Sequence, residues 1–274
     1  GQVMGEAKRG GMSDDGGLRC LRVRAGLPPI SKLLIPAGSG VPSPEFAAQA
    51  IAAAETTRRL TRESLVAASV LGTLDALYDA IDAAGAQTVA GFEAAMSDVL
   101  AEASARRAEM AAVECRRGCA FCCHLAVEAT PIEVIRLHVA MRRGAIPDRK
   151  EAILAAAAQS TRAAPCPLLV ENACSAYAQR PFACRSLYSR SVKRCEDGFN
   201  RIDLRGAGTA TLGWPQFLTI GYVTCEVAAL RDLGLPGHLV VLKAALALLL
   251  RDETALRRWY EGNDIFPRRI AAAS

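Results

Sequence analysis

The ten residues from Cys115 to His124, CRRGCAFCCH, contain four cysteines and one histidine. The four thiols at positions 115, 119, 122 and 123 would share one face if this segment were helical. One interpretation is therefore a stripe of small buried side chains, because free cysteine packs well in protein cores. Gly118 and the two arginines make a poor core helix, so we interpret the segment as a metal-binding loop.

A second group of cysteines lies between Pro165 and about Gly213, where Pro, Cys, Gly and Arg interrupt any apolar period and predict an irregular stretch. Together the two groups hold eight thiols, more than the four ligands of one tetrahedral zinc or one cubane cluster. We therefore expect two metal sites or one larger cluster. The candidate ligands are Cys115, Cys119, Cys122, Cys123, Cys166, Cys174, Cys184 and Cys195.

Cys122 and Cys123 are adjacent, and neighbouring side chains point in different directions. A shared metal would require a strained chelate, so we expect these two thiols to serve different metals or different roles. His124 is a further candidate ligand or proton donor. Two other cysteines are set aside: Cys20 stands alone near the N-terminus, and Cys225 lies in an apolar helical segment and is predicted to be buried.

Helical patterns dominate the rest of the chain, and few alternating segments suggest strands. Helix starts are predicted at Ser43-Pro44, at Thr61, near Val89, at the Thr130–Glu133 capping box, at Pro147-Asp148 and at Trp214-Pro215. The helix from about Val89 is expected to end near Ala112, the one from Thr130 near Gly144, and the last helical block near Tyr260. The predicted fold class is mainly α: a helical bundle with an irregular cysteine-rich metal-binding region and little strand.

The composition fits one sizeable domain, because 51% of the 274 residues are hydrophobic and 22% are charged. Residues 1–43 are rich in Gly, Pro and Ser and are expected to form a flexible N-terminal arm, followed by a single helical domain over residues 44–274. The net charge of +5 comes from residues spread along the chain, which argues against nucleic-acid binding.

No secretory signal is visible, and the longest apolar run, Leu239 to Leu250, is too short to span a membrane. It is predicted to form a buried helix. We therefore expect a cytoplasmic protein with no membrane partner. In such a reducing compartment, clustered thiols bind metals or do redox chemistry more often than they form disulfides.

Basic and aromatic side chains near the cysteines suggest two further roles. Residues Arg116, Arg117, Arg185, Arg190, Lys193 and Arg194 lie beside the candidate ligands and would neutralise thiolate charge. Tyr177, Arg180 and Arg185 are candidates for binding an anionic cofactor or ligand, since arginine suits bidentate recognition of anions. The alternative is that these three residues brace the loop.

Two other cysteine chemistries have to be weighed. The spacing of Cys115, Cys119 and Cys122 resembles the cluster motif of radical S-adenosylmethionine enzymes, but an Ala-rich helix precedes it here instead of a strand of an α/β barrel. A redox dithiol at Cys119 and Cys122 is the other possibility, although the expected βαβ pattern is missing.

The cysteine pattern resembles the YkgJ-like cysteine-cluster family, described as zinc- or iron-chelating domain proteins with a C-x-x-C-x-x-C-C pattern. The later family elements C-P-L-L, C-x-x-Y-x-x-R-P and C-R appear in order at Cys166–Leu169, Cys174–Pro181 and Cys184-Arg185. The resemblance extends over about residues 65 to 266. It departs from the pattern in the three residues between Cys115 and Cys119, where the family has two. A weaker similarity links the pattern to flagellin lysine N-methylases.

This resemblance implies metal chelation. We therefore expect a cytoplasmic protein that holds an iron-sulfur cluster, preferably [4Fe-4S], or Zn²⁺, and serves metal handling or redox chemistry or binds a protein partner. The alternative is a cluster-dependent enzyme, such as a protein lysine methyltransferase or a radical S-adenosylmethionine enzyme.

Overall fold

The computed structural model describes residues 44–158, 165–200 and 211–267. In this part of the chain the helices are α1 (Pro44–Leu71), α2 (Leu74–Glu102), α3 (Ser104–Ala111), α4 (Pro131–Arg142), α5 (Lys150–Ala158), α6 (Phe182–Arg185), α7 (Val192–Asn200), α8 (Gly213–Asp232), α9 (Leu242–Arg251) and α10 (Ala255–Tyr260). Two 3-10 turns cover Phe121–His124 and Tyr177–Gln179. The strands are β1 (Glu128–Ala129), β2 (Leu169–Val170), β3 (Ala173–Cys174) and β4 (Val240–Val241).

The predicted fold class is confirmed, since helices dominate and each described strand is only two residues long. The predicted N-terminal arm over residues 1–43, including the Ser43 cap, lies outside the described residues. The single domain expected over residues 44–274 stays a prediction. No helix in the described ranges is long and apolar enough to cross a membrane.

Two long helices, α1 and α2, differ from the predicted boundaries. The start predicted at Thr61 is wrong, because α1 runs through this fully buried residue without interruption. The helix predicted from Val89 to Ala112 is also wrong: α2 continues from Leu74 to Glu102, and α3 follows after Ala103. The actual break lies at Gly72, whose φ of 68° is accessible to glycine. Thr73 then caps α2 by accepting a hydrogen bond from the Ala76 N–H.

The capping box at the start of α4 is confirmed. The Thr130 hydroxyl accepts a hydrogen bond from the Glu133 N–H, and the Glu133 carboxylate accepts one from the Thr130 N–H. Pro131 occupies the first helical position. The helix ends at Arg142, and Gly144 follows with a φ of 67°, as expected for a helix that stops there.

The stretch that was predicted to be irregular has more secondary structure than expected. Strands β2 and β3 form an antiparallel hairpin through a turn at Glu171 and Asn172, both of which have positive φ. Helix α7 has nine residues, although no apolar period predicted it. The other described sheet pairs β1 with β4, with Ala129 opposite Val240. This pairing ties the chain that leaves the first cysteine segment to the C-terminal helices.

Two hydrophobic clusters form most of the core. The larger one joins α4, α9 and α10 around residues such as Ile132, Leu246 and Trp259, and Cys166 and Cys174 pack against its edge. The smaller cluster joins α2, α6 and α8 through aromatic side chains, and it is composed of Phe92, Met96, Val99, Phe182, Leu212, Trp214, Phe217, Leu218 and Tyr222. The cysteine-bearing segments are therefore anchored on both clusters. Cys225 is fully buried, as predicted.

Candidate metal centre

Two stretches of the chain, residues 115–123 and 166–195, carry the eight candidate thiols. Cys115 and Cys119 lie in the loop after α3, and Cys122 and Cys123 lie in the 3-10 turn that follows. Cys166 precedes the hairpin, Cys174 is on β3, Cys184 is in α6 and Cys195 is in α7. All nine cysteines in the described ranges are free thiols.

Cys115, Cys119 and Cys195 come together and are called group A below. Cys115 interacts electrostatically with both of the others. Ser189 joins two of the thiols: its N–H donates a hydrogen bond to the Cys115 sulfur at 3.1 Å, and its hydroxyl hydrogen-bonds to Cys195. Glu114 reinforces this junction, since its N–H donates to the Ser189 carbonyl and its carboxylate accepts from the Val192 N–H.

Cys166, Cys174 and Cys184 form a second set, called group B below. Cys166 and Cys174 interact electrostatically with each other, and Cys184 interacts with both. Group B is joined to the first cysteine segment by a backbone hydrogen bond from the Cys166 N–H to the Cys123 carbonyl at 2.7 Å. The grouping in space therefore differs from the grouping in sequence, because Cys195 joins the thiols of the first segment.

Cys122 and Cys123 lie where the two groups meet. Cys122 interacts electrostatically with members of both groups. Cys123 interacts with two members of group B, Cys166 and Cys184. The Cys123 thiol donates a hydrogen bond to Cys122, which lowers the pKa of Cys122 to about 7, with a further lowering from the Arg180 charge. The same hydrogen bond raises the pKa of Cys123. The two vicinal thiols thus have different surroundings.

Burial is the main reason why the pKa is raised at four other thiols, and neighbouring thiols raise it further. These four are Cys115, Cys166, Cys184 and Cys195. Thiolates placed together destabilise one another, and the more so where water is partly excluded from them. A metal cation would remove that penalty, because thiolates bind metals in their deprotonated form.

The donor set suits a thiophilic metal, but its atoms are not at ligation distances. Within the described residues no group of three or more His, Cys, Asp or Glu side chains could hold a metal ion as it stands. The role of the eight cysteines as ligands therefore stays a prediction. What the structure provides is a set of soft donors gathered into two neighbouring groups.

Arg185 is buried, and its guanidinium binds two backbone carbonyls and one acidic side chain. It donates hydrogen bonds to the carbonyls of Arg180 and Ala178 and forms an ion pair with Glu93 at 3.1 Å. Arg180 instead lies over the Tyr177 ring, 3.5 Å from its centroid, and Tyr177 is 59% exposed. Of the three residues proposed to bind an anion, Tyr177 and Arg180 thus form an accessible pair, and Arg185 braces the loop beneath them.

The basic side chains around the cysteines are mostly at the surface. The exposed ones are Arg116, Arg117, Arg190, Lys193 and Arg194. Lys193 forms ion pairs with Glu196 and Asp197, which reduces the charge that it can offer to the thiols.

The three histidines have different surroundings. The His124 ring lies 4.6 Å from the Phe199 ring, and its buried Nδ1 has no hydrogen-bond partner in the described part of the chain. His138 is buried against Tyr78, and desolvation lowers its pKa to about 4. His238 pairs with Asp264 at 2.6 Å. Only His124 is next to the thiols in sequence, so it is the histidine that could assist them.

Two residues that organise the site were not predicted to do so. Ser189 connects Cys115 with Cys195, and no sequence pattern marked it. Glu133 was predicted as a helix cap, but its second carboxylate oxygen accepts a hydrogen bond from the Phe182 N–H, at the start of the helix that carries Cys184. A capping box indicates the local bond alone, because the long-range partner depends on the tertiary fold.

Comparison with known proteins supports metal binding by this region. Residues 114–200 match the CxxCxxCC family model, which is described as "Putative zinc- or iron-chelating domain". The matched range contains all eight candidate ligands and is shorter than the range of about 65 to 266 expected from the sequence. Searches of the curated proteins and of the solved structures returned no match. The resemblance inferred from the cysteine pattern is confirmed by this match over residues 114–200.

Proposed function

We propose that this chain is a metal-binding protein that holds iron-sulfur clusters, or zinc, through eight cysteine thiolates. The observation that carries the proposal is the convergence of thiols from distant segments into two groups that meet at Cys122 and Cys123. The match to a zinc- or iron-chelating domain supports it. Thiolate ligands suit both metals, and four thiolates in each group fit a closed zinc site as well as a cubane cluster. Of the two we propose [4Fe-4S] first, and sulfide analysis distinguishes them.

The two groups would hold two separate four-thiolate centres. We assign Cys122 to group A, giving Cys115, Cys119, Cys122 and Cys195, and Cys123 to group B, giving Cys123, Cys166, Cys174 and Cys184. The assignment is supported by the interactions of Cys123 with Cys166 and Cys184 of group B, while Cys122 also interacts with Cys115 and Cys195. Each centre then has the ligand number of a closed zinc site or of a cubane cluster.

Metal binding would draw the sulfur atoms together. Each thiol loses its proton when it binds, and the cation offsets the repulsion between thiolates that burial makes unfavourable. A bound cluster would supply electron transfer, and bound zinc would supply structural rigidity. The chain's own contribution is to gather and orient the thiols, which Ser189 does for group A and the Cys166–Cys123 backbone bond does for group B.

The surroundings of the thiols suit this role. The Arg180 charge helps to lower the pKa of Cys122. The half-buried Arg180 and the exposed Tyr177 that it stacks on could receive an anionic group of a ligand or a protein partner. We assign Arg185 to bracing, since its donors are engaged with protein atoms. A reducing compartment such as the cytoplasm is the setting that we propose, because the thiols must stay reduced to bind metal.

Anaerobic purification followed by metal analysis, sulfide analysis and an optical spectrum tests the proposal. We expect iron with acid-labile sulfide and a broad visible absorption. Colourless protein with zinc and no sulfide would eliminate the iron-sulfur choice and retain metal binding. Protein that contains neither metal, and that takes up neither after reconstitution under reducing conditions, would refute the proposed function.

A further inference from the structure

Glu133 bridges two parts of the chain with its two carboxylate oxygens. One oxygen accepts a hydrogen bond from the Thr130 N–H at 2.7 Å, and the other accepts one from the Phe182 N–H. Its side chain is buried. A buried carboxylate is costly unless hydrogen bonds satisfy it, and here each oxygen has a backbone donor.

The two donors belong to the two cysteine-bearing regions. Thr130 follows β1, through which the chain leaves the segment with Cys122 and Cys123. Phe182 is the first residue of α6, which carries Cys184, and its ring is buried in the smaller hydrophobic cluster. One carboxylate therefore fixes the start of the Cys184 helix relative to the end of the first cysteine segment.

A second buried carboxyl group, on Glu226 of α8, lies beside this bridge. Glu226 accepts a hydrogen bond from the Thr130 hydroxyl and interacts electrostatically with Glu133. Burial raises the pKa of both carboxyls, while hydrogen bonds from Phe182 and Thr130 oppose the rise at Glu133. Two ionised carboxylates side by side in this setting would repel each other strongly, so the pair favours a state in which one carboxyl keeps its proton.

We propose that Glu133 is a positioning residue of the metal centre. By holding the N–H groups of Thr130 and Phe182 together, it sets the place of Cys184 relative to Cys123 and so completes group B. Glu133 contacts no metal in this role. The inference rests on the proposed function, because it assigns to Glu133 the alignment of a ligand of that same site.

The test compares Glu133→Gln with the wild type and with Glu226→Gln, a matched control in the same buried network. A glutamine at position 133 offers one carbonyl oxygen in place of two acceptors, so one of the two backbone bonds is lost. Glutamine at position 226 keeps an acceptor for the Thr130 hydroxyl. Each protein is purified anaerobically with its metal, its thermal unfolding is measured, and metal retained after timed exposure to excess chelator is determined by elemental analysis.

We expect Glu133→Gln to lose metal about ten-fold faster than both other proteins, the size of effect that loss of a partner supporting a metal ligand produces. If Glu133 had a merely structural role, the rate of metal loss would instead rise in each variant only as far as its melting temperature fell. Equal loss rates in all three proteins would overturn the inference while leaving the proposed function intact. A wild type that binds no metal would remove the proposed function itself. If Glu133→Gln does not fold, Glu133→Asp decides by the same measurement, since its shorter carboxylate cannot span both donors.

Discussion

Glu226 should make the folded protein less stable as the pH rises from acidic to mildly alkaline values. Its pKa is raised from 4.5 to about 8, first by burial and then by the Glu133 charge. Between these two values the folded chain keeps a proton that the unfolded chain has released. The free energy of unfolding therefore falls by about 1.4 kcal/mol per pH unit in this window, and the full stabilisation is present below pH 4.5.

Glu226→Gln removes the Glu226 contribution to this dependence because the amide does not titrate. Between pH 6 and pH 8 the variant should gain about 2 kcal/mol relative to the wild type, which is less than two pH units at the slope above because the slope halves at the folded-state pKa of about 8. Urea unfolding of the reduced, metal-free proteins at constant ionic strength measures the difference, and thiol titration cancels between the two. Glu63→Gln, at an exposed position of α1, should show the wild-type slope. Equal slopes for wild type and Glu226→Gln would show that the Glu226 carboxyl does not retain its proton.

Two further predictions concern the scaffold. Thr73→Ala removes the hydroxyl that accepts a hydrogen bond from the Ala76 N–H at the start of α2. The free energy of unfolding should fall by about 1 kcal/mol, which lowers the melting temperature by about 2–4 °C. An unchanged melting temperature by calorimetry would mean that this cap contributes nothing. Gly237→Ala places a methyl group 2.5 Å from the Val227 carbonyl oxygen. The free energy of unfolding, measured in urea, should therefore fall by about 1–3 kcal/mol. A variant as stable as the wild type would contradict this close approach.

The parts of the fold that depend on local chemistry could be predicted from the sequence. The capping box at Thr130 and Glu133 is a contact within one helical turn, and it marks the start of α4 correctly. The burial of Cys225 followed from the apolar segment around it. The cysteine pattern also indicated the resemblance that the family model matches over residues 114–200, because cysteine spacing is a property of the sequence itself.

Errors arose where tertiary contacts override local signals. Thr61 looks like a helix start, yet it is fully buried inside α1, where packing against neighbouring helices outweighs the preference of threonine for a cap. The expected separate helix from Val89 is absorbed into α2 for the same reason. Helix α7 was missed because its apolar residues are few, so no periodic stripe revealed it.

The organisation of the site was the hardest part to predict. Cys195 lies close in sequence to Cys184, but in space it joins Cys115 through Ser189. The hydrogen bond between Ser189 and Cys115 spans 74 positions of the sequence. The long-range hydrogen bond from the Phe182 N–H to Glu133 also joins two helices, and the sequence does not predict how these helices are placed relative to one another. Such contacts depend on how the helices pack, and a single sequence carries no direct signal for that packing.

The most direct test of two four-thiolate centres is the metal content of three single-cysteine variants, purified anaerobically and compared with the wild type. Cys119→Ser removes a ligand of group A, Cys184→Ser removes one of group B, and Cys225→Ser changes a buried thiol that belongs to neither group. We predict that each of the first two variants loses about half of the bound metal, whereas Cys225→Ser retains all of it. Wild-type metal content in both Cys119→Ser and Cys184→Ser would contradict the account.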